Sequence, residues 1–151
     1  MTTAKSRKAI FAGSFDPFTI GHMSVLERVL PLFDHVYIVV GYNNAKKGAL
    51  TPAERVAAIE RLFNNEPRVS VMAWDGLTTD LARQLGADYL IRGVRSAIDF
   101  ESEQNLATIN RTISGIETIF VPTLPEHAAI SSSVVRELEH FGHDASQFLP
   151  Q

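Results

Sequence analysis

The residues best suited to chemistry in this chain are an imidazole, a handful of cations and a run of serines, all suited to phosphate. Thr19-Ile20-Gly21-His22 closes a turn-rich segment that begins at Gly13. Gly13 permits a sharp exit from a strand, Ser14 offers a hydroxyl and a backbone N–H, and Asp16-Pro17 favours a turn. His22 then falls on the first turn of a helix, where free N–H groups and the helix dipole attract anions. A lone histidine at such a place is ordinarily just half-buried structure. In Thr-x-Gly-His between a strand and a helix, a phosphate-holding role is the better reading. Arg92-Gly93-Val94-Arg95 sets two guanidinium forks around a glycine. Such forks bind phosphate oxygens, and glycine lets backbone approach closely; surface ion pairs are the bland alternative. Ser131, Ser132 and Ser133 precede Val134-Val135-Arg136. Serines at a helix start cap it, and the same hydroxyls and N–H groups can hold phosphate. Lys46 and Lys47 share a polar loop with Asn43 and Asn44, either as a solvated pair or as an anion grip.

To converge, these groups need a scaffold, and the apolar pattern describes one. Ala9 to Ala12, Val36 to Val40, Val69 to Trp74, Tyr89 to Ile91 and Ile116 to Val121 read as strands. The continuous β-branched run at Val36 suits a strand covered on both faces. Helices are expected over Gly21 to Leu32, Thr51 to about Asn64, Thr78 to Leu85, Ile98 to Ile113 and Ser131 to Phe141. Thr51, Pro52 and Glu54 form a capping box, and Gly86 closes the third helix. Strands alternating with helices predict an α/β fold: a Rossmann-like, doubly wound, five-stranded parallel sheet with helices on both faces. Residues 1–151 are expected to form a single domain. Each motif above comes after a predicted strand, and ligands of such sheets bind beyond the strands' carboxyl ends.

Composition excludes several classes. Hydrophobic residues make up 45% and charged residues 21%, which argues against disorder. A net charge of −3 lacks the basic excess expected of a duplex nucleic-acid binder, so no nucleic-acid partner is expected. There is no cysteine, so thiolate metal sites, disulfides and a cysteine nucleophile are excluded. No histidine spacing suits a metal, and no metal-binding residue is expected. The polar N-terminus is followed by no secretory apolar core, and no run approaches the ~20 residues of a membrane span. A cytoplasmic protein without membrane contact is the expectation. The first loop is neither a GxGxxG fingerprint nor a Walker A loop.

Thr19-Ile20-Gly21-His22 resembles the TxGH motif of the nucleotidyltransferase superfamily. The longer GxFDPxTxGH string from Gly13 to His22 resembles the phosphopantetheine adenylyltransferases in particular. The likeness continues through Arg92-Gly93-Val94-Arg95, the DFExE run Asp99 to Glu103, and Ile130-Ser131-Ser132-Ser133. It implies that His22 is catalytic, stabilising the pentacovalent phosphorus. It implies an ATP site of Ser14, Phe15, His22, Gly93, Val94, Arg95, Glu103 and the stretch His127, Ala128, Ala129, Ile130, Ser131, Ser132 and Ser133. It implies an acceptor site of Ser14, Lys46, Thr78 and Arg92. Serine stands at position 14 where the family usually has threonine, and histidine at 127 where it often has an aromatic residue.

The implied reaction joins ATP and 4′-phosphopantetheine into dephospho-coenzyme A and pyrophosphate, with Mg²⁺ carried by ATP. A homohexamer is implied by the same likeness. Two rivals remain at this point. One is a sister nucleotidyltransferase acting on nicotinamide mononucleotide or glycerol phosphate. The other is a nucleotide-binding module without catalysis, since fold alone does not fix function.

Overall fold

The computed structural model describes residues 5–43 and 49–151; Lys46 and Lys47 lie outside the described residues. Five strands, β1 (Lys8–Gly13), β2 (His35–Gly41), β3 (Val69–Trp74), β4 (Tyr89–Val94) and β5 (Glu117–Pro122), form one sheet. All pairings are parallel, in the order β3-β2-β1-β4-β5. The expected Rossmann-like architecture is what the chain adopts. The helices are α1 (Ile20–Val29), α2 (Pro52–Leu62), α3 (Thr78–Leu85), α4 (Ala97–Ser114) and α5 (Ser132–His140).

Strand residues alternate between two cores, as a period of two requires. Ala9, Phe11, Val36, Ile38, Val40 and Ile91 pack with Val25, Leu26 and Val29 of α1 and Ile59 of α2. Ile10, Val39 and Leu90 face the other way, against Leu81 and Ala82 of α3. Helices therefore cover both faces, and the central strands are buried through and through. Thr51 and Glu54 make the expected reciprocal cap at the start of α2. Gly86 ends α3 at φ 72°, a conformation that favours glycine.

Two boundaries differ from the sequence expectation by three residues; the others agree within one or two. The first helix ends at Val29 rather than Leu32, and Leu30–Leu32 turn as a 3₁₀ helix. Pro31 has no N–H to continue the α ladder. The fourth strand runs on to Val94, so Arg92, Gly93 and Val94 belong to it rather than follow it. Polar residues end the apolar run in sequence, but the backbone ladder continues, pairing Arg92 with Phe120 and Gly93 with Val121.

The order of strands positions the site. From β1 the chain crosses to α1 on one face; from β4 it crosses to α4 on the other. The chain thus leaves these adjacent strands toward opposite faces, and a crevice opens beyond their carboxyl ends.

Candidate active site

That crevice is a cleft of about 330 Å³. It is lined by the end of β1 and the loop after it, the start of α1, the end of β4, the start of α4, Thr123 after β5 and the start of α5. Ser14, Phe15, His22, Arg92, Gly93, Arg95, Glu103, Ile130, Ser131, Ser132 and Ser133 all meet there. Val94, His127, Ala128 and Ala129 are not among its lining residues. Thr78 lines a small adjoining cavity of about 50 Å³ that shares Ala12, Arg92 and Glu103 with the cleft.

His22 is the third residue of α1 and completes a capping box with Thr19. The Thr19 N–H donates to His22 Nδ1 at 2.9 Å, and the His22 N–H approaches Thr19 Oγ1 at 3.4 Å. A backbone N–H can only donate, so Nδ1 is unprotonated and the neutral ring carries its proton on Nε2. Imidazole thus takes the place that glutamate or glutamine usually holds in this cap. The Thr-x-x-His spacing carried that signal, and sequence reasoning passed over it. Phe15 and Phe18 pack around the ring, with centroids at 5.0 and 5.4 Å. Burial, reinforced by the positive fields of Arg95 and then Arg92, pushes the His22 pKa down to about 4. The side chain is a neutral Nε2–H donor at pH 7.

Phe15 lines the cleft but is only 2% exposed, its ring stacked edge-on to Phe11 and His22. Its φ of 46° turns the chain so that this ring folds back over Gly13. A Cβ on Gly13 would sit 2.9 Å from the ring, so glycine there makes room for Phe15.

Both arginines are aimed by carboxylates of α4. Arg92 forms a two-pronged pair with Glu103: Nε donates to Oε2 and Nη2 to Oε1, both at 2.7 Å. Its Nη1 also donates to the Ala12 carbonyl at 2.6 Å. A guanidinium has five N–H groups, so two remain for a ligand. Arg95 Nε donates to Asp99 Oδ2 at 3.1 Å. The acidic run after the arginines, which by charge alone reads as a first helical turn, orients the cations.

Glycine at position 93 has a packing reason in addition to its place in the cleft. A Cβ there would meet Val25 Cγ2 of α1 at 3.2 Å, so the bare backbone lets α1 lie close against β4.

The serines divide their tasks. Ser131 caps α5, its Oγ accepting the Val134 N–H at 3.2 Å. Ser132 donates from Oγ to the Pro17 carbonyl at 2.7 Å. Ser133 Oγ accepts from Arg136 Nη2 at 3.3 Å. Structural use and place in the cleft thus coexist.

Sequence reasoning missed Asp16, Arg55 and Arg136. Asp16 and Arg55 are 5% and 6% exposed. Arg136 Nη1 donates to the Asp16 carbonyl. One signal pointed to Arg55: it lies four residues before buried Ile59, a charge on the buried face of α2. The Asp-Pro pair disclosed only a turn.

Comparison with known proteins gives consistent matches. A sequence model of the cytidylyltransferase-like family covers residues 10–138. The phosphopantetheine adenylyltransferase of Phocaeicola vulgatus is 51% identical over 145 residues, 96% of each chain. That of Bacteroides thetaiotaomicron is 47% identical over 145 residues, again 96% of each. That of Porphyromonas gingivalis is 47% identical over 147 residues, 97% of this chain and 96% of the relative.

Proposed function

The chain belongs to the phosphopantetheine adenylyltransferases, within the cytidylyltransferase-like family, and from that premise we propose how its cleft carries the reaction. The enzyme is a nucleotidyltransferase of coenzyme A biosynthesis. It transfers the adenylyl group of ATP to 4′-phosphopantetheine, giving dephospho-coenzyme A and pyrophosphate. The acceptor's phosphate is already a nucleophile, so no covalent enzyme intermediate is needed. Catalysis is alignment of two anions plus stabilisation of charge around the α-phosphorus.

In this reading, His22 Nε2–H donates to a non-bridging oxygen of the α-phosphoryl group as negative charge builds there. Neutrality suits the task, since a protonated ring could not also accept the Thr19 N–H. Arg95, Gly93 and the start of α5, from Ile130 to Ser133, hold the ATP phosphates. Val94, Glu103 and the stretch His127 to Ala129 belong to the ATP side. Arg92 presents its two remaining N–H groups to the acceptor phosphate, with Lys46 and Thr78 on the acceptor side. Ser14 and Phe15, at the turn between them, face both reactants through hydroxyl and backbone. Mg²⁺ enters with ATP, held by phosphate oxygens and water. The observation that carries this reading is the meeting of the His22 donor edge, two arginines and a helix start in one cleft.

The whole chain, 1–151, then serves as one nucleotidyltransferase domain, acting in the cytoplasm as a homohexamer. No described helix is long and apolar enough to cross a membrane. α4 supports assembly: it buries no residue within the chain and exposes Leu106, Ile109 and Ile113 by half or more.

The test is pyrophosphate release across a panel of acceptors and nucleotides. ATP with 4′-phosphopantetheine is expected to turn over. Nicotinamide mononucleotide, glycerol phosphate and CTP are expected to fail. Turnover with one of those acceptors alone would move the chain to a sister activity, and none at all would leave a binding module.

A further inference from the structure

We infer that Asp16 and Arg55 form a buried clamp that sets the shape of the loop after β1, and that both are positioning residues for the transfer. The inference rests on the cleft being the reaction site as proposed above.

A charged pair this deeply enclosed is retained at a desolvation cost, so its hydrogen bonds should report what it is for. Each group on the pair reaches backbone, and each reaches across segments. Asp16 Oδ2 accepts the Ala49 N–H at 2.9 Å, and Oδ1 accepts the Leu50 N–H at 3.1 Å. Arg55 Nε donates to the Leu50 carbonyl and Nη1 to the Ser14 carbonyl, both at 3.0 Å. The two side chains approach to 3.9 Å. The lead-in to α2 is thereby bound to the loop that carries Ser14 and Phe15.

From the opposite side, α5 grips the same loop. Arg136 holds the Asp16 carbonyl, and Ser132 holds that of Pro17. Three carbonyls of a four-residue stretch are thus held by side chains from α2 and α5. None of these bonds is needed to form the sheet or either core. They fix a short loop whose inner side is cleft wall, and whose Phe15 ring lies against His22. Released, the loop would let both Ser14 and the His22 ring drift, and transfer is steeply sensitive to such drift.

The test uses Asp16→Asn and Arg55→Lys in the full-length enzyme. The amide introduced by Asp16→Asn would turn an N–H toward one of the two backbone N–H donors. Lysine keeps the charge beside Asp16 but cannot span the Leu50 and Ser14 carbonyls, and the thermal midpoint reports whether the variant is folded. Four readouts are taken: kcat, KM for the acceptor, ATP Kd by equilibrium binding, and the thermal midpoint. We expect kcat to fall by about tenfold or more in both variants. ATP Kd should change less than kcat does, because Arg95 and the serines at the start of α5 are not substituted.

His22→Ala serves as the reference, expected to lose roughly 10²–10³ in kcat. If His22→Ala is impaired while folded Asp16→Asn and Arg55→Lys keep wild-type kcat, the pair is only a fold staple and the inference falls. A lowered thermal midpoint with unchanged kcat says the same. If His22→Ala itself turns over normally, the reading of the cleft fails first.

Discussion

In its proposed role, His22 is shaped by what its neighbours deny it. The Thr19 N–H occupies Nδ1, the phenylalanine rings exclude water, and two arginines disfavour a second proton. The ring titrates at about 4 in the folded chain, against an ordinary value of 6.5. Between those values the unfolded chain binds a proton at this position and the folded chain does not. The stability tied to this residue is therefore complete above about 6.5 and is lost as pH falls toward 4. Titration of ¹³C-labelled histidine by NMR should place His22 near 4 in the free enzyme. A midpoint near 6.5 would remove the neutral-donor account. The same logic predicts that kcat/KM shows no inflection from His22 between pH 6 and pH 8.

At the scale of elements, the site depends on how closely α1 approaches β4. Gly93 sits where a Cβ would press on Val25, a buried, β-branched side chain with little rotameric freedom. Gly93→Ala should push α1 outward and carry His22 with it. Overpacking of this kind costs about 1–3 kcal/mol. A drop in thermal midpoint together with a fall in kcat is the expected result. Adding Val25→Ala should restore much of the kcat by reopening the space, at its own cost in core packing. If Gly93→Ala loses ATP binding but neither stability nor kcat, the glycine serves the phosphate directly and not the helix.

Across the whole molecule, the exposed apolar residues of α4 contrast with the covered core strands. Leu106, Ile109 and Ile113 recur at three- and four-residue spacing on that helix, and so fall along one side. A monomer has little reason to expose such a stripe, whereas a subunit contact buries it. Ile109→Lys with Ile113→Lys should yield a smaller particle by light scattering, with the chain still folded by circular dichroism. An unchanged particle size would place the assembly contact elsewhere. The cleft lies at the carboxyl ends of β1 and β4, so the smaller particle is expected to keep ATP binding.

Much of this protein was legible in residues alone. The alternation of apolar runs with helical spacing determined the α/β class, because burial on two faces makes a strand a continuous apolar run while burial on one side gives a helix a period of about 3.6. The capping box at Thr51, the stop at Gly86 and the helix start at Ser131 were equally local, since each rests on hydrogen bonds within a few residues. The grouping of His22, the arginines and the serine run was legible because strand ends in such a sheet converge. Only the tertiary structure decided the rest. It carried β4 through Arg92 and Gly93, set Glu103 as a support for Arg92, turned Phe15 inward, and closed the clamp of Asp16 and Arg55. Those outcomes depend on groups far apart in the chain meeting at hydrogen-bonding distance, and no local pattern of residues encodes that distance.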